Sequence, residues 1–236
     1  MYGSTLKEQV LKLCDAHNTH YVAFCIESSI TNFRLDYAVR DVYKGTRDKV
    51  KTHRALPYLS DIFKWIKYYF PATIYRGCEN DDVFSLLSEK YKDYIGQLVY
   101  CANDSDLLAI PGKHHNVRSG MIREVEYPGE ILYKTGKLFA TGYYNTYSKM
   151  LTGASKENFK GVKGLGKKGA YKLLKDCTTE QEMIDVVVDA YYQKYGAIAR
   201  PMIEEAGILC KLLKYTSFQD PIVTNFPNLV TKKLTW

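Results

Sequence analysis

Apolar positions along the chain switch between a helical and a strand period. Residues 4–18 place Leu6, Val10, Leu11 and Leu13 on one stripe and predict a helix. YVAFCI (21–26) reads as a short buried strand. Residues 34–54 are charged, lack a strong apolar period and predict an exposed helical or mobile segment. LPYLSDIFKWIKYYF (56–70) is an amphipathic helix stopped by Pro71. ATIYR (72–76) is a strand, 79–93 a helix with Val83, Leu86, Leu87 and Tyr91 inward, and QLVYCA (97–102) another buried strand. MIREVEY (121–127) alternates like a half-exposed strand. From about Tyr143 the period is helical, over 143–152, 166–175, 179–194 and 199–215. Residues 217–236 read as an irregular tail. Strands separated by helices imply parallel crossovers, so the expected fold is α/β, with a mostly parallel central sheet flanked by helices.

The chain has 236 residues, 46% apolar and 25% charged, enough for one α/β domain with a helical appendage. No run of about 18 apolar residues occurs, so no membrane span is expected, and MYGSTLKEQVLKLCD has no signal-peptide core. Six cysteines are scattered without a C-x-x-C pair, which suits free thiols in a reducing compartment and argues against zinc. The net charge of +7 matters once it is located. Residues 149–175 hold eight lysines and one acid, and 34–54 hold seven Lys or Arg against three Asp. Between them, 79–106 carry seven acids against two lysines. Basic stretches suit a polyanion, although a lysine-rich helix is also an ordinary solvated face. An acidic stretch beside them requires cations.

The acids follow strands. Glu79, Asp81 and Asp82 (in GCENDDVF) come after ATIYR, Asp104 and Asp106 (in NDSD) after LVYCA, and Glu27 after YVAFCI. Functional groups in parallel α/β sheets collect beyond the carboxyl ends of strands. Two charges about 4 Å apart repel by roughly 4 kcal/mol at an effective dielectric of about 20, so converging carboxylates need bound cations or raised pKa values. Hard oxygens suit Mg²⁺ or Mn²⁺, and paired ions about 3.5–4 Å apart drive phosphodiester cleavage. Taken singly, Asp81 and Asp82 equally suit a helix N-terminus, Asp104 and Asp106 a helix cap, and Glu27 a surface loop. Jointly, three acidic strand ends in one small sheet favour a metal site. Further on, NFKGVKGLGKKGAYKLL (158–174) frames a tight turn with Gly161, Gly164 and Gly166. Backbone N–H groups of such a turn and of the helix after it can approach phosphate. Lys163, Lys167 and Lys168 would then flank a DNA backbone, read without regard to sequence.

In order, FRLDYAVRDVYKGTR, RGCENDD, CANDSDLLAI and KMLTGASKENFKGVKGLGKKGA resemble motifs of the flap endonuclease and 5′-nuclease family, especially its bacteriophage members. The resemblance runs from about residue 6 to 215. It implies a nuclease (PIN-like) domain over 1–142 with a helical arch at about 34–56. A helical DNA-binding region over 143–236 would carry a helix-hairpin-helix (helix–three-turn–helix) element. It implies metal ligation by Glu79, Asp81, Asp82, Asp104 and Asp106, with Glu27 and Glu157 as further carboxylates. Lys44 and Arg47 would contact the scissile phosphate from the arch, and Lys149 and Gly161 to Lys168 would contact DNA. The implied activity is metal-dependent 5′→3′ exonuclease and flap endonuclease action on DNA with a 5′ flap, a 5′ end or a duplex–single-strand junction. The implied setting is the cytoplasm, of a host if the gene is phage-borne. Two departures stand out. Ala154 replaces a family Asp, so one of two metal sites is expected to be weak. The family's first strand, ending in Asp, is not found before residue 4, so a replication partner or another chain supplying that strand is expected. The alternative is a structure-specific DNA-binding protein of the same fold that cuts weakly or not at all.

Overall fold

The computed structural model describes residues 2–26, 32–45, 56–73 and 77–212. Contacts divide the chain into two compact units. One comprises Met1–Asn32, Asp48–Val83 and Thr216–Trp236, the other Phe33–Arg47 and Phe84–Tyr215. Residue 142, where the sequence reading divides the chain, is the first residue of a helix inside the second unit.

In the first unit, α1 (Tyr2–Ala16) and α3 (Leu59–Tyr69) cover a pair of short parallel strands, β1 (Phe24–Cys25) and β2 (Ala72–Thr73). The buried stripe of α1 is Leu6, Val10 and Cys14, at i, i+4 and i+8, and not the Leu11–Leu13 side. Ile62, Ile66 and Phe70 form the matching stripe of α3. Phe70 turns extended before Pro71, whose ring disfavours helical geometry in the preceding residue. Its ring packs on Phe24 at 4.9 Å between centroids.

In the second unit, which includes the short helix α2 (Arg34–Tyr37), β3 (Val99–Cys101) pairs in parallel with β4 (Gly112–His115), and β5 (Ile122–Val125) adds antiparallel to β4. A hairpin follows, β6 (Ile131–Lys134) with β7 (Lys137–Ala140). Its turn residues Thr135 and Gly136 are both left-handed, at φ 51° and 77°, the conformation whose twist matches a two-residue hairpin. Neither β4 nor this hairpin is anticipated by the apolar pattern. The predicted C-terminal helices are present as α5 (Gly142–Thr152), α6 (Lys167–Leu174), α7 (Glu180–Tyr195) and α8 (Ala199–Cys210). They bury Tyr147, Leu151, Leu174, Met183 and Tyr191. α7 opens with a capping box between Thr179 and Glu182, which satisfies N–H groups that a helix start leaves unpaired. The protein is thus α/β, with parallel strand pairs, an antiparallel edge and a helical C-terminal half.

Candidate functional site

The predicted acids lie in both units. In the first, Asp81 and Asp82 occupy the first turn of α4 (Asn80–Lys90). The Glu79 carbonyl accepts the Asp82 and Val83 N–H groups at 3.1 and 3.3 Å, which makes Glu79 the residue that starts the helix. The Asp82 carboxylate reaches back to accept the Glu79 N–H at 3.1 Å and is completely buried. It therefore serves as the return half of a helix cap, where the helix dipole also favours negative charge. Asn32 donates to Glu79 Oε1 at 2.8 Å. Glu27 and Arg47 lie outside the described residues.

In the second unit, the turn after β3 (Ser105–Ala109) is opened by Asp104, whose Oδ1 accepts the Asp106 N–H at 3.0 Å. Asp104 is exposed. Asp106 pairs with Lys149 Nζ at 2.9 Å. Lys149 is fixed by α5, which packs on this turn. Asn145 of α5 donates to the carbonyls of Ser105 (3.2 Å) and Ala140 (3.1 Å). Nearby, burial pushes the Cys210 thiol up to about 12. The Lys149 and Arg34 charges oppose that shift, while Glu157 and Asp106 add to it.

Glu157 ends a single turn, Ser155–Glu157, and its carbonyl accepts the Lys44 N–H at 2.8 Å. Lys44 is left-handed at φ 55°, with its ammonium 5.2 Å from the Tyr43 ring centre. Asn158 donates to the Val42 carbonyl at 3.0 Å and Lys160 pairs with Asp41 at 3.1 Å. Residues 41–44 are therefore stitched to 157–160, and the part of the 34–54 segment that is described is neither free nor simply exposed. Its other anchor is Glu205, only 6% exposed, which accepts the N–H groups of Val39 (2.8 Å) and Arg40 (3.0 Å) and pairs with the Arg40 guanidinium. The sequence reading overlooks Glu205. Its signal is a carboxylate directly before the small and apolar run AGILC (206–210), on the face of the buried Ala199, Ala206 and Leu209. Ala154 exchanges two backbone hydrogen bonds with Phe159 (2.9 and 3.0 Å) and offers no side-chain oxygen.

The glycines act differently from one another. A Cβ on Gly161 would meet the Leu151 carbonyl oxygen at 2.3 Å and the Gly153 nitrogen at 2.5 Å, so only glycine fits against α5. Gly164 is left-handed at φ 87°. Gly166 precedes α6, which no side chain caps, so first-turn N–H groups of α6 face outward beside exposed Lys163, Lys167 and Lys168. Tyr195 clamps the turn: its hydroxyl accepts from the Lys163 N–H (2.8 Å) and donates to the Gly161 carbonyl (3.2 Å). An open groove of about 870 Å³ runs along this turn. Gly161→Ala is expected to cost on the order of 1–3 kcal/mol through overpacking. Chemical denaturation measures this, and an unchanged midpoint would contradict the close approach to Leu151.

No family model matches the chain. In sequence it is similar to a 5′-3′ exonuclease of Mycoplasmopsis pulmonis, with 30% identity over 116 residues, 47% of this chain and 36% of that protein. The match thus spans about a third of the length of that curated relative. Among solved structures it is similar to the bacteriophage T5 D15 protein crystallised with metal ions, at TM-score 0.59 and 15% identity over 89% of this chain and 92% of that one. It is also similar to the T5 D15 flap endonuclease in a pseudo-enzyme-product complex with DNA and metal ions. There the TM-score is 0.58 and the identity 14%, over 89% and 91% of the two chains. The fold is that of the T5 5′-exonuclease, and the curated relative similar in sequence is likewise a 5′-3′ exonuclease.

Proposed function

We propose that this chain is a divalent-metal-dependent 5′→3′ exonuclease and flap endonuclease acting on DNA. The observation that carries the reading is the Asp106–Lys149 ion pair beside exposed Asp104 at the end of β3, with the Lys44 backbone bonded to Glu157. Asp104, Asp106 and Glu157 would supply carboxylate oxygens, the donor type a hard cation prefers. The family resemblance also assigns metal ligation to Glu27, Glu79, Asp81 and Asp82, although Asp82 already holds the α4 cap. A bound Mg²⁺ or Mn²⁺ supplies Lewis acidity and lowers the pKa of attacking water. A second ion would be held weakly, because Ala154 contributes no oxygen.

The remaining roles belong to the protein's own side chains. Lys149 neutralises Asp106 and keeps it in place. Lys44, and Arg47 with it, would stabilise charge developing on the scissile phosphate, Lys44 being positioned by the Glu157 carbonyl. Gly161, Gly164, Gly166 and the lysines around them would hold the duplex as a helix-hairpin-helix element, so residues 143–236 grip DNA while 1–142 supply most of the chemistry. The substrate would be a 5′ flap, 5′ end or duplex–single-strand junction. Among the described residues no helix is long and apolar enough to cross a membrane, and we place the protein in the cytoplasm, the host's if it is phage-borne.

A second reading, structure-specific binding with weak or no cleavage, is favoured by two observations: the missing ligand at Ala154 and the closed position of Asp82. Both readings share the DNA grip. Replacing Lys163, Lys167 and Lys168 by Gln should weaken duplex binding equally across sequences and lower the salt slope by up to about 0.9 per lost phosphate contact. Binding titrations between about 50 and 200 mM salt test this. Unchanged affinity would remove the turn from the DNA interface.

A further inference from the structure

The second unit carries a half-open cavity of about 400 Å³ that no step of the proposed cleavage uses. Tyr127, Tyr143, Tyr147 and Ile110 are among the residues lining it, and Glu180 and Lys211 contribute its charges. Tyr127 and Tyr143 stack face to face, with centroids 4.0 Å apart and planes within 6°, making one wall a double aromatic layer. Tyr147 donates its hydroxyl to Glu180 Oε1 at 2.6 Å, and the Tyr143 hydroxyl also hydrogen-bonds this carboxylate. Lys211 Nζ stands 4.0 Å from Glu180 Oε1 and 5.1 Å from the Tyr147 ring centre. Glu180 and Lys211 are 35% and 45% exposed, whereas Tyr147 and Ile110 are buried, so the charged pair marks the solvent side.

We propose that this cavity binds one nucleobase carrying an amino group, stacked on the Tyr127–Tyr143 layer and donating to Glu180. The volume suits one base and its sugar. Aromatic walls select a flat, polarisable ring. An ionised carboxylate accepts about four hydrogen bonds, so two tyrosine hydroxyls leave capacity for N–H donors from a ligand. Burial raises the Tyr127 and Tyr147 phenols far above their ordinary range, so they remain neutral donors and do not repel Glu180. Guanine presents two adjacent N–H donors and adenine or cytosine an exocyclic amino group. Thymine presents one N–H between two carbonyls that a carboxylate repels. Lys211 complements a phosphate on the solvent side. The base could arrive on a free nucleotide or as an unpaired base of bound DNA.

Binding is measured in EDTA, which separates it from any failure of the nuclease reading. Calorimetry with dGMP, dAMP and dTMP should show the two purine nucleotides binding roughly tenfold or more tightly than dTMP, the weight of a charge-assisted hydrogen bond. Glu180→Gln should erase that preference, while Tyr143→Phe, which keeps the stacked layer, should retain it. If the base comes from DNA, an oligonucleotide junction with one unpaired 2-aminopurine should instead be quenched on binding. That quenching should also be lost in Glu180→Gln. Equal binding of dGMP and dTMP would overturn the proposal. So would binding and quenching that Glu180→Gln leaves unchanged, or the absence of both.

Discussion

Replacing Asp104 and Asp106 together by alanine is expected to abolish DNA cleavage and leave DNA binding intact or tighter. Asp104 is the exposed carboxylate nearest the end of β3, and Asp106 is the one tied to Lys149 at 2.9 Å. Removing both takes away two hard oxygen ligands and two charges that repel phosphate, and it releases the Lys149 ammonium toward the DNA. The loss of the Asp104 cap costs about 0.5–2 kcal/mol, so a modest fall in stability accompanies the effect. Asp104→Asn with Asp106→Asn separates the two contributions, because asparagine can still cap the turn yet brings no anionic ligand. Cleavage at the unmutated rate in either double variant, with contaminating nuclease excluded, would remove these acids from the metal site.

Glu205→Ala is expected to destabilise the second unit by about 3–5 kcal/mol, the typical cost of leaving a buried charge without its partner. The substitution strips Arg40 of its ion pair and leaves the Val39 and Arg40 N–H groups without their acceptor. Arg40 is only 25% exposed, so solvent recovers little of that loss. The thermal midpoint should fall on the order of 10 °C. The segment carrying Lys44 should loosen with it, because one of its two anchors is gone. Glu205→Gln should be milder, since an amide oxygen still accepts from the two N–H groups. Calorimetric scanning checks both, and a midpoint unmoved by Glu205→Ala would contradict the anchoring role.

Helices were legible where an apolar stripe repeats at i, i+4, as in Ile62–Ile66–Phe70, whereas in α1 Leu11 and Leu13 drew the expected stripe away from Cys14; the C-terminal helices begin within one residue of the predicted starts. β4 was not legible, because GKHH has no apolar alternation. Its buried members are histidines, and His114 hydrogen-bonds the Ile110 carbonyl at 2.9 Å. The β6–β7 hairpin was not legible from apolar alternation either, because Ile131, Leu132 and Tyr133 are consecutive and Leu132 is exposed. The acids at strand ends were visible one group at a time. What joins Asp106 to Lys149, and Lys44 to Glu157, is tertiary packing between residues 43 and 113 positions apart in the chain, which no local pattern encodes. The same holds for Asp82, whose carboxylate reads identically whether it caps α4 or faces solvent.

The measurement that bears most directly on the proposed activity is cleavage of a 5′-labelled flap duplex by the unmutated protein, with Mn²⁺ in one arm and EDTA in the other. Short 5′ products appearing with Mn²⁺ and absent with EDTA, at equal DNA occupancy in both arms, are the predicted result. Full occupancy with no product in either arm would contradict the nuclease reading and leave a DNA-binding protein.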